Sequence, residues 1–289
     1  MRTIPASELI INEDGSIFHL HMRPDQLAGK VVLVGDPGRV PMVADRFSQI
    51  ECQGGNREFV WVTGRYRNER MTVLSTGIGS DNIDIVMNEL DALVNIDFDT
   101  RTVRGDRTSL TILRLGTSGA VSADIPLGSF VMASHSIGTD PLARYYKGAS
   151  SVCDVALEEA FMKHIEWPDT LSRPYAVEAS PVMRRRFEPI ATEGLTLSAP
   201  GFYAPQGRQL ALRPEIEGLT DKIESFRHNG RAITNIEMES ASIAFMAALM
   251  GHHALTICLV IAQRHDGESD VNYNDSMNTL IAASLALLA

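Results

Sequence analysis

Short apolar runs rich in β-branched residues recur along the chain, separated by stretches with helical spacing, and few architectures accommodate that alternation. The runs are KVVLVGD (30–36), MTVLSTG (71–77), LTILRLG (110–116), GSFVMAS (128–134) and ALTICLVIA (254–262), each bounded by glycine or polar turn residues. A run that is apolar on both faces suits a strand in a sheet covered on both sides. Helical periodicity marks residues 82–93, 152–164, 239–250 and 277–288. Strands alternating with helices predict an α/β layer fold with a mostly parallel or mixed sheet. No internal repeat, low-complexity tract or long linker divides the 289 residues, so residues 1–289 are read as one domain. The polar segment 97–108, DFDTRTVRGDRT, is read as a surface loop inserted before the strand at Leu110.

Charge narrows the partners. A formal net charge of −10 repels polyanions, which argues against nucleic acid and acidic membranes. The basic triplet Arg184-Arg185-Arg186, flanked by Phe187 and Glu188, is read as a solvated helix face, because counterion release rewards many contacts. No run of eighteen apolar residues occurs, and the N-terminus lacks the basic start and apolar stretch of a secretory signal. The expected location is therefore the cytoplasm. Cys52, Cys153 and Cys258 have neither disulfide-framework nor zinc-ligand spacing, so they are read as small buried hydrophobes and no metal is expected.

Several polar residues interrupt this pattern. GDPGR, Gly35 to Arg39, follows a predicted strand; its glycines let backbone N–H groups approach an anion, and Arg39 can add charge-assisted hydrogen bonds. The same string could open a dinucleotide site, but the second and third glycines of GxGxxG are missing. In LRLGTSGA, Arg114 lies inside an apolar strand and Thr117 in the glycine-rich turn expected to end it. A buried arginine needs a partner, either a carboxylate or a bound anion. The only acidic residues near Arg114 in sequence are Asp106 and Asp124, both in loop-like sequence, so an anion is at least as good a candidate.

NIEMES places Glu237 and Glu239 around Met238, just before an apolar helical run. Two carboxylates could form a glycosidase-type acid/base pair, yet at i and i+2 they point apart on a helix and share a side on a strand. Acidic residues at a helix start are also commonly dipole partners. FYAPQGR joins the aromatic face of Phe202 to the amide of Gln206 and the guanidinium of Arg208. An amide both donates and accepts, which suits an O=C–N–H edge, and a guanidinium can stabilise a carbonyl oxygen that gains charge. A turn around Pro205 and Gly207 with incidental polar side chains explains the same residues equally well. Taken locally, His19 in SIFHLHM is a structural histidine and Arg57 in NREF a surface charge.

The ordered series GDPGR, NREF, STGIGS, LRLGTSGA, FYAPQGR, NIEMES and VIAQR resembles the nucleoside phosphorylase family across nearly the whole chain. The resemblance implies a three-layer α/β/α fold around a central mixed β-sheet. It implies phosphate held by Gly35, Arg39, Arg114 and Thr117, with Arg57 supplied to a neighbouring subunit. It also implies ribose held by Met238 and Glu239, with Glu237 beside them and His19 from the adjacent subunit. Gln-x-Arg at Gln206 and Arg208 is the element of the family's uridine-cleaving members, where Phe202 occupies the position that stacks on the base. Arg264 in VIAQR supports the carbonyl side of uracil, where the purine enzymes carry Ser-Asp. Ala262 and Gln263 replace the usual Asn before that arginine, and Pro205 replaces the usual Gly.

The activity implied by the resemblance is that of a pentosyltransferase, converting uridine with inorganic phosphate into uracil and ribose 1-phosphate, or deoxyuridine or thymidine into their own base and deoxyribose 1-phosphate. No metal or organic cofactor is implied; phosphate is the co-substrate. Shared sites imply a homo-oligomer, dimer or hexamer, while a monovalent cation near Glu58 stays open. Rival readings are a purine nucleoside phosphorylase or nucleosidase on the same fold, and a non-catalytic nucleoside sensor.

Overall fold

The computed structural model describes residues 2–264 and 267–289. Its strands are β1 (Lys30–Val34), β2 (Gln49–Asn56), β3 (Phe59–Tyr66), β4 (Glu69–Ser75), β5 (Ile96–Asp97), β6 (Thr102–Val103), β7 (Thr111–Ala120), β8 (Phe130–Gly138), β9 (Tyr175–Glu178), β10 (Thr192–Ser198), β11 (Arg227–His228), β12 (Arg231–Glu237), β13 (His253–Gln263) and β14 (Glu268–Ser269). The helices are α1 (Arg39–Ala44), α2 (Ser80–Asn95), α3 (Val155–Ile165), α4 (Pro181–Phe187), α5 (Leu219–Ser225), α6 (Ser240–Met250) and α7 (Asn274–Leu288).

The central sheet runs β11-β12-β10-β8-β13-β7-β1-β4-β3-β2. It is mixed: β1 is parallel to β4 and β7, and β13 is parallel to β7 but antiparallel to β8. Side chains alternate across the sheet. Val31 and Leu33 of β1 enter the core with α2 and α6, while Val32 and Val34 enter the core with α1, α4 and α7. Burial on both faces is why these strands read as continuous apolar runs, and it makes the three-layer α/β/α arrangement.

One pairing shapes the site. β12 also pairs antiparallel with β7, Asn235 opposite Ala120 and Ile236 opposite Gly119, which closes β7, β13, β8, β10 and β12 into a ring. Buried Asn235 stitches the closure, because its Nδ2 donates to Ser118 Oγ at 2.9 Å and its Oδ1 accepts from Thr196 Oγ1 at 2.8 Å. As a result the end of β12 lies beside the end of β7.

Several expectations change. Thr117 is not in a turn: β7 continues through both glycines to Ala120. Gly116 is there for space, since a Cβ would lie 2.4 Å from Arg114 Nη1. Segment 97–108 is not a plain loop either; Ile96–Asp97 pairs with Thr102–Val103, and Arg101 Nε donates to Ile4 O at 2.9 Å. Cys258 is buried as expected, but Cys52 and Cys153 are only half-buried. Arg184 pairs with Glu178 and Glu193, in keeping with a solvated face. Among the described residues, no helix is long and apolar enough to cross a membrane.

Candidate active site

At the carboxyl ends of β1, β4, β7 and β12 the chain leaves a cavity of about 700 Å3, the position where open α/β sheets bind ligands. Gly35, Arg39, Arg114, Thr117, Phe202, Gln206, Arg208, Glu237, Met238 and Glu239 all line it. These residues come from distant segments of sequence, and the ring closure brings them together.

Arg114 forms the centre of a buried charge cluster. Its Nη1 donates to Glu237 Oε2 at 3.0 Å and its Nη2 donates to Glu239 Oε2, with all three side chains at most 5% exposed. Local sequence left carboxylates and an anion as rival partners; here both carboxylates arrive from 123 and 125 positions away. Burial alone would depress the guanidinium pKa, but Glu239 and Glu237 hold it above its usual value. Arg114 therefore stays charged.

Glu237 ends β12 and caps α6: it accepts from Glu239 N at 2.9 Å, Ser240 N at 3.0 Å and Ser240 Oγ at 2.6 Å. With one carboxylate on the strand and the other at the helix N-cap, an i, i+2 pair converges on one cation. Glu239 Oε1 accepts from Gly79 N at 2.7 Å. Burial raises the Glu239 pKa against the pull of Arg114, and the charge of Glu237 adds to that rise.

Beside this cluster the β1 and β4 ends lie close, with Gly77 O 3.4 Å from where a Cβ on Gly35 would sit. Asp36 Oδ1 accepts from Gly38 N at 2.8 Å and bends the loop so that Arg39 starts α1 at the cavity wall. STGIGS had no assigned role in the sequence, yet Gly79, at φ +96, supplies the amide that holds Glu239. A glycine pair directly before a helix was the available signal.

The other end carries the segment Phe202 to Arg208. Gln206 is buried, and Arg208 Nη1 donates to its Oε1 and, at 2.7 Å, to Phe202 O. The Arg208 guanidinium also stacks 3.9 Å over the Phe202 ring, so one face of the expected stacking aromatic already carries a cation. Burial lowers the Arg208 pKa. Asp270 and Tyr273 complete this wall, and sequence reasoning had not included them.

Three sequence candidates do not line this cavity. Arg264 lies behind its wall, with Cδ 3.5 Å from where a Gly119 Cβ would sit and Nη2 donating to Thr220 Oγ1 at 3.2 Å. His19 is held elsewhere: its Nδ1 lies 2.6 Å from Glu89 Oε1, beside a second cavity of about 500 Å3. Arg57 is exposed in the turn between β2 and β3 at φ +56, a left-handed conformation that costs a residue with a Cβ roughly 1 kcal/mol. Asn56 Nδ2 donates to His19 O at 3.2 Å, which puts His19 and the Arg57 turn on one surface.

The fold and cavity define an α/β protein with a polar-lined cavity at its strand ends, between a charge cluster and an amide-guanidinium pair. The chain belongs to the phosphorylase superfamily, whose family model matches residues 30–289. It is similar to the uridine phosphorylase of Thermococcus kodakarensis, 27% identical over 264 residues covering 89% of this chain and 80% of that protein. A DeoD-type purine nucleoside phosphorylase of Streptococcus suis is 23% identical over 274 residues, covering 90% and 92%. Among solved structures, a Trypanosoma brucei nucleoside phosphorylase described as showing uridine phosphorylase activity superposes with a TM-score of 0.87 at 26% identity, covering 97% and 98%.

Proposed function

We propose that this protein is a uridine phosphorylase, which cleaves uridine with inorganic phosphate to uracil and ribose 1-phosphate in pyrimidine nucleoside salvage. The observation that carries the reading is the meeting of Gln206 and Arg208 with Glu237, Met238 and Glu239 in one cavity. Gly35, Arg39 and Thr117 offer anion contacts at the end nearest the charge cluster. Glu239, fixed between Arg114 and Gly79, accepts ribose hydroxyls while Met238 packs on the sugar. Arg114 borders the phosphate and orients that carboxylate. As the glycosidic bond breaks, the sugar gains positive character next to the carboxylates and the base gains negative charge next to Arg208. Phosphate then bonds to the anomeric carbon as the base leaves.

In this reading phosphate is the co-substrate, and the reaction uses neither a metal nor an organic cofactor. A second copy of the chain, in a dimer or hexamer, supplies Arg57 to the phosphate and His19 to the ribose. The strained Arg57 turn, close to His19 and outside its own cavity, supports that exchange.

The test is ultraviolet detection of free base from uridine and from inosine, with and without phosphate. Phosphate-dependent uracil release is the expected result. Hypoxanthine release instead would move the chain to the purine enzymes, release without phosphate would make it a nucleosidase, and silence on both would favour a sensor.

A further inference from the structure

Side chains hold the backbone of His19 and Leu20 from both sides. The two N–H groups donate to Glu89, from His19 N to Oε1 at 3.0 Å and from Leu20 N to Oε2 at 2.8 Å. On the other side His19 O accepts from Asn56 Nδ2 at 3.2 Å, and Leu20 O accepts from Trp61 Nε1 at 2.9 Å. These bonds account for the backbone alone. The imidazole is held as well: its Nδ1 lies 2.6 Å from Glu89 Oε1, and the edge of the Phe18 ring packs against it with centroids 4.8 Å apart. Glu89 is buried midway along α2, the helix whose leading residue Gly79 holds Glu239 in the cavity of the same chain.

A carboxylate accepts hydrogen bonds and donates none, so the bond to Glu89 puts a proton on Nδ1 and leaves Nε2 as the free end of the ring. Nε2 forms no hydrogen bond among the described residues, and the ring is partly exposed beside the cavity of about 500 Å3. The other charged groups lining that cavity, Arg2 and Glu8, pair with each other at 2.6 Å and leave the His19–Glu89 pair undisturbed. We propose that Glu89 is a positioning residue for the reaction, holding His19 with its proton on Nδ1 so that Nε2 meets a ribose hydroxyl in the cavity of a second copy of the chain. A backbone anchor would need only the two N–H bonds; the third bond fixes the tilt of the ring and which nitrogen it presents. The ribose as target rests on the proposed function and its exchange of His19 between copies, whereas the grip of Glu89 on the ring does not.

Glu89→Gln tests this with little change of shape. With its oxygen in the place of Oε2 the amide still accepts from Leu20 N and from His19 N, which lies 3.1 Å from that atom, while its NH2 group turns to Nδ1 and donates. The ring proton then moves to Nε2 and the free end reverses polarity. Steady-state kinetics is measured with uridine and with 2′-, 3′- and 5′-deoxyuridine. For uridine the KM is expected to rise about fivefold or more with kcat nearly unchanged, the mark of a lost contact made in ground and transition states alike. The deoxynucleoside that lacks the hydroxyl read by His19 is expected to escape the rise. In a His19→Ala background Glu89→Gln is expected to have no further effect, because the carboxylate acts through that ring. Equal losses on every substrate, or a full further loss in the His19→Ala background, overturn the proposal and leave Glu89 as a backbone anchor. If Glu89→Gln does not fold, solid-state nitrogen NMR of histidine-labelled protein decides, with the His19 signal identified by its disappearance in His19→Ala. A proton on Nδ1 is the expected result, and one on Nε2 alone overturns the proposal. An unaltered protein that cleaves no nucleoside defeats the proposed function and this role with it, whereas an active enzyme with either overturning result defeats the role alone.

Discussion

Arg114 folds back along β7 because Gly116 has no side chain, and its guanidinium is then clamped between Glu237 and Glu239. The cation cannot move aside without losing a carboxylate, so space at residue 116 and geometry at residue 239 are linked. Gly116→Ala is expected to lower kcat/KM about tenfold or more, because small misplacements of a positioning group are expensive in rate. Steady-state kinetics checks this, and an unchanged kcat/KM in a folded variant would break the link. In the proposed reaction Arg208→Ala removes a donor to the departing base, so it is expected to reduce turnover about a hundredfold or more with the fold intact. Circular dichroism alongside the rate separates those two effects.

At the scale of elements, the β7–β12 closure gives the cavity its shape, and Asn235 holds that closure from both sides. Asn235→Ala leaves the buried Ser118 and Thr196 hydroxyls without that partner and should cost about 2 kcal/mol, read from a denaturant melt. A second tie joins α2 to the start of β13. Asp91 Oδ1 lies 3.3 Å from His252 Nε2 and accepts from Asn95 Nδ2 at 2.6 Å and Arg107 Nη2 at 2.9 Å. Burial would raise the Asp91 pKa, but neighbouring His252, the hydrogen bond from Asn95 and the charge of Arg107 hold it below the usual value. A depressed carboxylate contributes stability above its unfolded pKa and loses that contribution as the pH falls through its folded value. Asp91 should therefore support the fold at neutrality and release α2 below about pH 4. Thermal melts of Asp91→Asn across that range should show the largest deficit near neutrality, converging with the unaltered protein in acid.

Sequence pattern located the elements whose residues are continuously apolar or apolar at helical spacing. β1, β4, β7, β8 and β13 announced themselves as apolar runs, and α2, α6 and α7 through their spacing. β2 and β10 did not: QIECQGGN is largely exposed at the sheet edge, and TEGLTLS opens with polar residues. The glycines of β7 resembled a turn because the purpose of Gly116, room for the side chain of Arg114, is a three-dimensional one. Candidate residues of the site were legible through motif order. The partners of Arg114 were not, since a local window cannot contain a carboxylate more than a hundred positions away.

At the scale of the whole molecule, His19 and Arg57 do not line the cavity that their proposed roles require, so the proposed reaction would make oligomer assembly a condition of activity. Arg57→Ala and Arg208→Ala should each be nearly inactive alone. Co-expressed in equal amounts as dimers, they should regain about a quarter of the sites, because mixed dimers hold one cavity with both defects and one with neither. Absence of rescue in mixed oligomers confirmed by mass would show that Arg57 does not act across an interface.

Ring closure also has a bearing on how the chain is made. On the ribosome, β7 emerges long before β12, so a nascent sheet carries Arg114 at its centre with both countercharges still unsynthesised. Pairings of such long range form slowly, and an unpaired cation holds that strand open to water until they do. Truncated products ending before residue 237 should therefore be prominent substrates for chaperones and proteases, and the residues proposed to hold ribose would also be the ones that let the sheet finish folding.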